Sequence, residues 1–386
     1  MRFRSLTATA SAFCAVAVVG LPASPVSADS IRDDQWHLRY LKVAEAHKHS
    51  QGAGVIVGVV DSGVHPHPDL RNNLLSGADV VPGGTGDGKA DNNGHGTSMA
   101  GLIAGHGRSG GKGVLGIAPK ARILPLRAST DSDKFFDTDD DIAEGIQQAI
   151  TRGARVINVS IAGGPSPSLK IAVEAAQRSD IVVVAGAGNV PGSFGVVYPA
   201  AFKGVVAVGA IDRSGNHADI SVRGPELVLT APGVAITSTN RDGKYRLARG
   251  TSDSTALVSG AAALVRSKFP NLSAPEVIHR LTATATDKGP PGRDNEYGYG
   301  VLNLVGALTA DVPPLAGGAS ASAPPASPAQ ATNGAGAPTQ AAGPGSGGSG
   351  GSATVFALIG AVIVGGALGL IGVVTARRRG RTGVAS

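Results

Sequence analysis

Three short segments carry the residue types that a serine nucleophile requires. Asp61 ends a buried Val/Ile run, His95 lies between two glycines, and Ser252 follows a Gly-Thr pair. A serine hydroxyl is a poor nucleophile at neutral pH, so it needs an adjacent base, and histidine has a suitable pKa. The histidine in turn needs a buried carboxylate that fixes its tautomer and stabilises the imidazolium. The sequence therefore predicts a catalytic triad of Asp61, His95 and Ser252.

The same chemistry needs hydrogen-bond donors for the oxyanion that forms during acyl transfer. Ser252 opens a predicted apolar helix, so free backbone N–H groups and the positive end of the helix dipole lie beside it. A second donor is predicted in Asn189, which follows the small-residue segment 185–188 at the end of another predicted strand.

Each of these residues alone also fits a purely structural role. An Asp after a strand is often a helix cap, a single His is usually structural, and Gly-Thr-Ser is a common turn. The extended segments taken together are far more specific than any one of them, and they favour the catalytic interpretation.

The elements around these segments alternate between strands and helices. Apolar β-branched runs predict strands, and spacing of three to four between apolar residues, as in Ile142, Ile146 and Ile150, predicts helices. The predicted strands are 54–60, 121–126, 156–161, 181–185 and 205–210, and the predicted helices include 140–152 and 169–178. Strands buried on both faces with helical crossovers indicate an α/β fold with a mostly parallel sheet. Catalysis in such folds lies at the carboxyl ends of the strands, where Asp61 stands.

Residues 35–308 resemble the subtilases. The matching positions are Asp61 in D-[ST]-G, His95 in H-G-T, Asn189 in A-x-G-N, Ser252 in G-T-S, and the closing segment Tyr297–Asn303. The resemblance implies the subtilisin-like three-layer α/β fold, serine endopeptidase activity with the order Asp, His, Ser, and an oxyanion-hole role for Asn189. It also implies that an extended peptide pairs as an added strand with the segment at Ser160. The expected substrate-binding residues are Ser160, Ile161, Ala162, Gly163, Gly186, Ala187 and Gly188.

One position departs from the family pattern. The usual sequence after the nucleophile is Met or Phe, Ala, any residue and Pro, whereas this chain has Asp253-Ser254-Thr255-Ala256. If the Asp253 carboxylate points at the oxyanion hole, it should slow acylation. If it caps the helix or faces solvent, its effect should be small.

The termini predict a membrane-tethered, exported protein. Residues 1–28 have the charged, apolar and small-residue regions of a signal peptide, with an uncleaved anchor as the alternative. The peptidase domain with a short N-terminal extension is predicted at 29–311, a Pro/Ala/Gly/Ser-rich linker at 312–352, a transmembrane helix at 353–375 and a basic cytoplasmic tail at 376–386. The Arg cluster after the apolar segment predicts a single-pass protein of the cell membrane, with its peptidase domain extracellular and its C-terminus cytoplasmic.

This layout is most similar to that of the mycosins, membrane-anchored subtilases associated with type VII secretion. That resemblance implies protein or peptide substrates and, as partners, membrane components of a type VII secretion system. Residues 29–53 are too few for a folded inhibitory pro-domain. A short N-terminal extension of this kind also resembles the mycosin arrangement.

The composition argues against other classes of protein. The net charge is +6 and the single cysteine, Cys14, lies in the predicted signal peptide, so the mature chain has no disulfide or thiolate site. The basic residues flank the apolar termini and form no stripe with interleaved aromatics, so no nucleic-acid partner is expected. The mechanism needs no cofactor or metal. The clusters His65, His67, Asp69 and Asp137, Asp139, Asp140, Asp141 are interpreted as turn and surface residues rather than zinc or calcium sites.

Two other functions remain open at this stage. One is a subtilase-fold scaffold with little or no proteolysis that stabilises a membrane secretion complex. The other is a lipase or esterase, which the residue order and the lack of G-x-S-x-G disfavour.

Overall fold

The structure is a computed structural model, and it describes residues 31–130 and 139–315. The strands in those residues are β1 (Ile56–Asp61), β2 (Ala78–Asp79), β3 (His106–Arg108), β4 (Lys112–Leu115), β5 (Arg122–Arg127), β6 (Val156–Val159), β7 (Val182–Gly186), β8 (Val206–Ile211), β9 (Leu229–Pro232), β10 (Ile236–Thr239) and β11 (Tyr245–Ala248). The α-helices are α1 (Ile31–Asp34), α2 (Trp36–Tyr40), α3 (Val43–Ala46), α4 (His95–Ala104), α5 (Asp139–Thr151), α6 (Pro167–Arg178), α7 (Thr251–Lys268), α8 (Ala274–Ala283) and α9 (Leu304–Thr309).

A central parallel sheet organises the fold. Its strand order is β2-β5-β1-β6-β7-β8-β9, and each pair of neighbouring strands is parallel. β1 lies between β5 and β6, so the direction of strand addition reverses at β1. In parallel α/β sheets such a reversal opens a crevice at the carboxyl ends of the strands. The predicted α/β class with a mostly parallel sheet is confirmed.

Two apolar cores cover the two faces of this sheet. Successive strand residues point to opposite faces, and both faces of β1 and β7 are apolar. Val57 and Val59 contribute to the core that includes α4 and α7, whereas Val60 contributes to the core that includes α5 and α6. The layers are therefore helix, sheet and helix.

The long helix α7 packs on the face of the sheet formed by β6 to β9, and it also lies directly against Ile117. Gly260 makes this possible, because a Cβ atom there would lie 2.6 Å from Cβ of Ile117. Any larger residue at this position would push α7, and with it Ser252, away from the core.

The N-terminal segment 31–50 packs on the domain without lining the cavity described below. Gln35 exchanges hydrogen bonds with the backbone of Leu115, and the Trp36 indole donates to the carbonyls of Val234 and Ala235 at 3.1 and 3.0 Å. No residue of 31–50 lines that cavity.

The membrane predictions fall outside these residues. The described residues do not include the predicted signal peptide 1–28, the linker from residue 316 onward, the predicted membrane helix 353–375 or the tail 376–386. Within 31–130 and 139–315, no helix has the length and apolar character needed to cross a membrane.

Candidate active site

Asp61 occupies the last position of β1, at the reversal point of the sheet. Its side chain is fully buried, and Oδ1 accepts hydrogen bonds from the backbone N–H of Ser62 at 2.8 Å and from the Ser62 hydroxyl at 3.3 Å. A parallel strand buried on both faces thus fixes a carboxylate at the floor of the crevice.

His95 is the first residue of α4 and lies against that carboxylate. Its Nδ1 is 2.7 Å from Oδ1 of Asp61. Because a carboxylate only accepts, Nδ1 carries the proton and Nε2 is left as the basic nitrogen. Burial lowers the pKa of His95, but the charge and hydrogen bond of Asp61 outweigh burial, so this pKa is raised above its usual value.

The two glycines beside His95 are required by geometry. Gly94 caps α4 in the left-handed region, with φ 85°. A Cβ atom at Gly96 would lie 2.0 Å from the carbonyl oxygen of Gly63. The glycines therefore let the first turn of α4 sit directly on the chain that follows Asp61.

A further buried carboxylate, Asp91, holds this junction together, and the sequence analysis missed it. It accepts hydrogen bonds from the backbone N–H groups of Gly94 and Thr97, at 2.8 and 2.9 Å, and from the Ser62 hydroxyl at 3.0 Å. Asp91 thus supplies the N-terminal cap that α4 lacks at Gly94 itself, and it ties β1 to α4.

Ser252 is the second residue of α7 and shares one cavity with His95. Its hydroxyl donates to the carbonyl oxygen of Ser160 at 3.2 Å, and no hydrogen bond joins it to His95 among the described residues.

Asn189 lies beside the start of α7. Its Oδ1 accepts from the backbone N–H of Thr251 at 2.9 Å, which fixes the orientation of the amide. A Cβ atom built on Gly250 would lie 3.5 Å from Nδ2 of Asn189 and 3.7 Å from the backbone nitrogen of Ser252. Two donors therefore border one small space next to the serine, as an oxyanion hole requires.

The cavity has a volume of about 460 Å³. Five of the seven predicted substrate-binding residues line it, namely Ser160, Ile161, Ala162, Gly186 and Gly188. The other two lie elsewhere. Ala187 is fully buried, with its N–H bonded to Val208, and the N–H of Gly163 is bonded to the carbonyl of Tyr198 at 2.9 Å.

Asp253 neither caps a helix nor faces solvent, the two arrangements in which its effect on acylation would be small. Its side chain is 1% exposed, it lines the cavity, and its Oδ1 has no hydrogen-bond partner in the described chain. Burial raises the pKa of Asp253 to about 6, against the opposing charges of Arg246 and His95. The residue is thus neither a helix cap nor solvent-facing.

Two arginines in the cavity wall were also missed from the sequence. Arg246 lies on β11, and Arg249 lies three residues before Ser252 in the segment that joins β11 to α7. The available signal was the run of basic residues just before the nucleophile, Arg241, Lys244, Arg246 and Arg249.

The clusters considered for metals are engaged in protein contacts. The Asp69 carboxylate accepts from Arg108 and from the backbone N–H of Val114, both at 2.8 Å. Asp139 accepts from the N–H of Gly164 at 2.6 Å, and Asp137 lies outside the described residues. Within the described ranges, no group of three His, Cys, Asp or Glu side chains is placed to hold a metal ion.

Comparisons with known proteins agree with this fold. The model of the subtilase family matches residues 52–300. Subtilisin DY of Bacillus licheniformis is 42% identical over 261 residues, covering 66% of this chain and 90% of its own length. Among solved structures, MycP1 from Mycobacterium smegmatis has a TM-score of 0.64 at 33% identity, over 72% of this chain and 85% of its own. The MycP3 protease from the type VII (ESX-3) secretion system has a TM-score of 0.62 at 34% identity, over 76% and 90%.

Proposed function

This chain belongs to the subtilase family of serine peptidases, and from that premise we propose that it is a membrane-anchored endopeptidase acting outside the cytoplasm through Asp61, His95 and Ser252. The observation that carries the proposal is the 2.7 Å contact of His95 Nδ1 with the buried Asp61, in a cavity that also holds Ser252. This contact leaves Nε2 of His95 as a base of raised pKa that faces the nucleophile's cavity.

The proposed reaction proceeds through an acyl-enzyme. His95 takes the hydroxyl proton as Ser252 Oγ bonds to the scissile carbonyl carbon, and the oxyanion receives hydrogen bonds from Asn189 Nδ2 and the Ser252 N–H. The tetrahedral intermediate expels the amine, which leaves with the proton from His95. Water then attacks the ester by the same route and restores the serine hydroxyl.

Substrate binding is proposed along the segment at Ser160. Ser160, Ile161 and Ala162 line the cavity together with Gly186 and Gly188, and Arg246 and Arg249 line it as well. An extended peptide that adds to this segment as a strand would place its scissile bond over Ser252.

A mechanism-based label tests the assembled triad without a known substrate. The full chain, in membranes or detergent, is treated with a fluorophosphonate probe beside a Ser252→Ala variant. We expect labelling of the wild type alone. An unlabelled wild type whose unfolding transition is cooperative would contradict the proposal.

Export, anchoring and a link to type VII secretion are part of the same proposal. They rest on the signal-peptide pattern of 1–28, the apolar segment 353–375 with its following arginines, and the likeness to MycP1 and MycP3. The proposed partners are membrane components of such a secretion system. Protease protection of the C-terminal tail in intact cells, together with accessibility of the peptidase domain, tests this topology.

A second function, a scaffold with weak proteolysis, is favoured by one observation. Asp253 places a buried carboxyl group in the catalytic cavity, where a negative charge opposes an oxyanion. If a Ser252→Ala strain keeps full secretion while a deletion strain does not, the scaffold function is the one that matters in the cell.

A further inference from the structure

Two arginines make one part of the cavity wall cationic. Arg246 and Arg249 line it together with His95 and Asn93. Neither guanidinium hydrogen-bonds or forms an ion pair with any residue in 31–130 or 139–315. By contrast, the neighbouring Arg241 is engaged, because its Nη1 donates to the carbonyl of Asn92 and its Nε lies 3.5 Å from Asp242.

The acidic groups near this wall are buried or lie outside the cavity lining. The exposed Asp34 and Arg246 together line a separate, smaller pocket, and the charge of Asp253 acts on Arg246 from a buried position. Asp61 is fully buried and occupied by His95 and Ser62, and Asp253 is 1% exposed. Arg249, in contrast, is exposed and Arg246 is half-buried. A substrate entering the cavity therefore meets two accessible guanidinium groups and no accessible carboxylate among the lining residues of the described chain.

The position of these arginines indicates which side of the scissile bond they contact. Residues on the amino side of the scissile bond are expected along Ser160–Ala162, so the other lining residues, which include Arg246 and Arg249, are left for the carboxyl side. Arg249 precedes Ser252 by three residues, which keeps its backbone within about 11 Å of the nucleophile. Guanidinium groups in an open cleft form bidentate hydrogen bonds with carboxylates.

We propose that Arg246 and Arg249 form a binding subsite for an acidic side chain of the substrate, one or two residues to the carboxyl side of the scissile bond. The inference rests on the proposed peptidase function and adds the class of substrate to it. An anionic membrane surface is a poorer occupant, because both side chains line a cavity rather than a flat face.

Paired fluorogenic peptides test the subsite in the full chain. Each pair is identical except for Glu or Gln at the first or second position after the scissile bond. We expect kcat/KM to be about tenfold higher for the Glu peptide at one of these positions, and the preference to weaken with added salt. The ratio within a pair cancels any general change in activity.

Three variants test whether Arg246 and Arg249 cause the preference for Glu over Gln. In Arg249→Gln and Arg246→Gln the Glu/Gln ratio should fall towards one, and Arg249→Glu should favour a Lys peptide over its Gln partner. The matched control Arg178→Gln removes an exposed charge at the end of α6, where the chain turns towards the start of β7, and it should keep the wild-type ratio.

The experiments distinguish failure of the subsite proposal from failure of the proposed peptidase function. Cleavage with a ratio near one in the wild type, or a ratio that survives both arginine substitutions, overturns the subsite and leaves the peptidase. No cleavage of any peptide together with no fluorophosphonate labelling of Ser252 overturns the proposed function, and the subsite with it.

Discussion

Burial disfavours a charge on both Asp253 and His95, yet each of these two groups favours the charged form of the other. For Asp253 burial dominates and raises its pKa to about 6, although Arg246 and His95 oppose the rise. For His95 burial is outweighed by Asp61, with a smaller contribution from Asp253, so its pKa is raised. A carboxyl group that titrates near neutral pH therefore sits beside the proposed nucleophile and base.

The first prediction concerns stability. The folded chain binds the Asp253 proton more tightly than the unfolded chain, whose carboxyl pKa is near the usual 3.8. The associated stability is present below about pH 4 and is lost as the pH rises to about 6, which amounts to about 3 kcal/mol. Asp253→Asn removes this loss. Its gain in unfolding free energy over the wild type, measured by urea titration, should be about 2 kcal/mol larger at pH 8 than at pH 4, because the unfolded carboxyl group is already more than half ionised at pH 4.

A matched control separates this effect from general charge removal. Asp311 is exposed and lies outside the cavity. Asp311→Asn should change stability equally at pH 4 and pH 8. An Asp253→Asn gain that is the same at both pH values would show that the carboxyl group is not protonated preferentially in the fold.

The second prediction concerns the pH dependence of catalysis. His95 must be neutral to accept the serine proton, so kcat/KM falls as the pH drops below the pKa of His95. Asp253 helps to raise that pKa. In Asp253→Asn the acidic limb should therefore move to lower pH. At pH 8 kcat should rise, because a negative charge no longer opposes the oxyanion. A limb that stays in place, or that moves to higher pH, would mean that Asp253 does not act on His95.

The third prediction concerns a residue that lowers stability at acidic pH, whereas Asp253 lowers it at alkaline pH. His37 on α2 is fully buried, and neither ring nitrogen has a hydrogen-bond partner within the described residues. Burial lowers its pKa from 6.5 to about 3. A depressed histidine pKa means stability that is lost as the pH falls below 6.5, by about 3 kcal/mol at pH 4. His37→Leu should remove this acid sensitivity in urea unfolding between pH 7 and pH 4. The exposed His49→Gln should retain it, and an unchanged pH slope in His37→Leu would refute the assignment.

Much of the sheet was predictable because its strands are continuous β-branched runs. The run ending at Asp61 became β1, Ile56–Asp61, and the run at 181–185 became β7, Val182–Gly186. Such runs are typical of parallel strands buried on both faces. The differences are shifts of one or two residues at the ends, where hydrogen bonding rather than composition decides the boundary.

The hairpin of β10 and β11 was not predictable in the same way. Its second strand contains Arg246 and a 68% exposed Leu247, so it shows no clean apolar alternation. Its place is set by tertiary contacts, such as the hydrogen bonds from Ser238 and Thr239 to the first turn of α4. The cationic wall was missed because the run of basic residues before the nucleophile does not by itself show that Arg246 and Arg249 line the cavity.

Asp91 and Asp253 illustrate a second limit of the sequence. A carboxylate two or three residues from a glycine-rich turn has many structural roles, and only the fold shows that Asp91 caps α4. For Asp253 the departure from the family pattern was visible in the sequence, but the burial of its side chain was not. The charges that act on Asp253 come from Arg246 on β11 and His95 on α4, and only the tertiary structure brings these elements together.

The last prediction concerns the second donor to the oxyanion. Asn189→Ala removes Nδ2 from the space beside Ser252, so stabilisation is lost chiefly in the transition state. We expect kcat to fall by about 10²–10³-fold, the size typical for one oxyanion-hole donor, with little change in KM. The exposed Asn295→Ala makes the same chemical change outside the cavity and should leave kcat unaltered. Asn189→Asp retains an acceptor for the Thr251 N–H. If it restored kcat, the role of Asn189 would be to position α7 rather than to donate to the oxyanion.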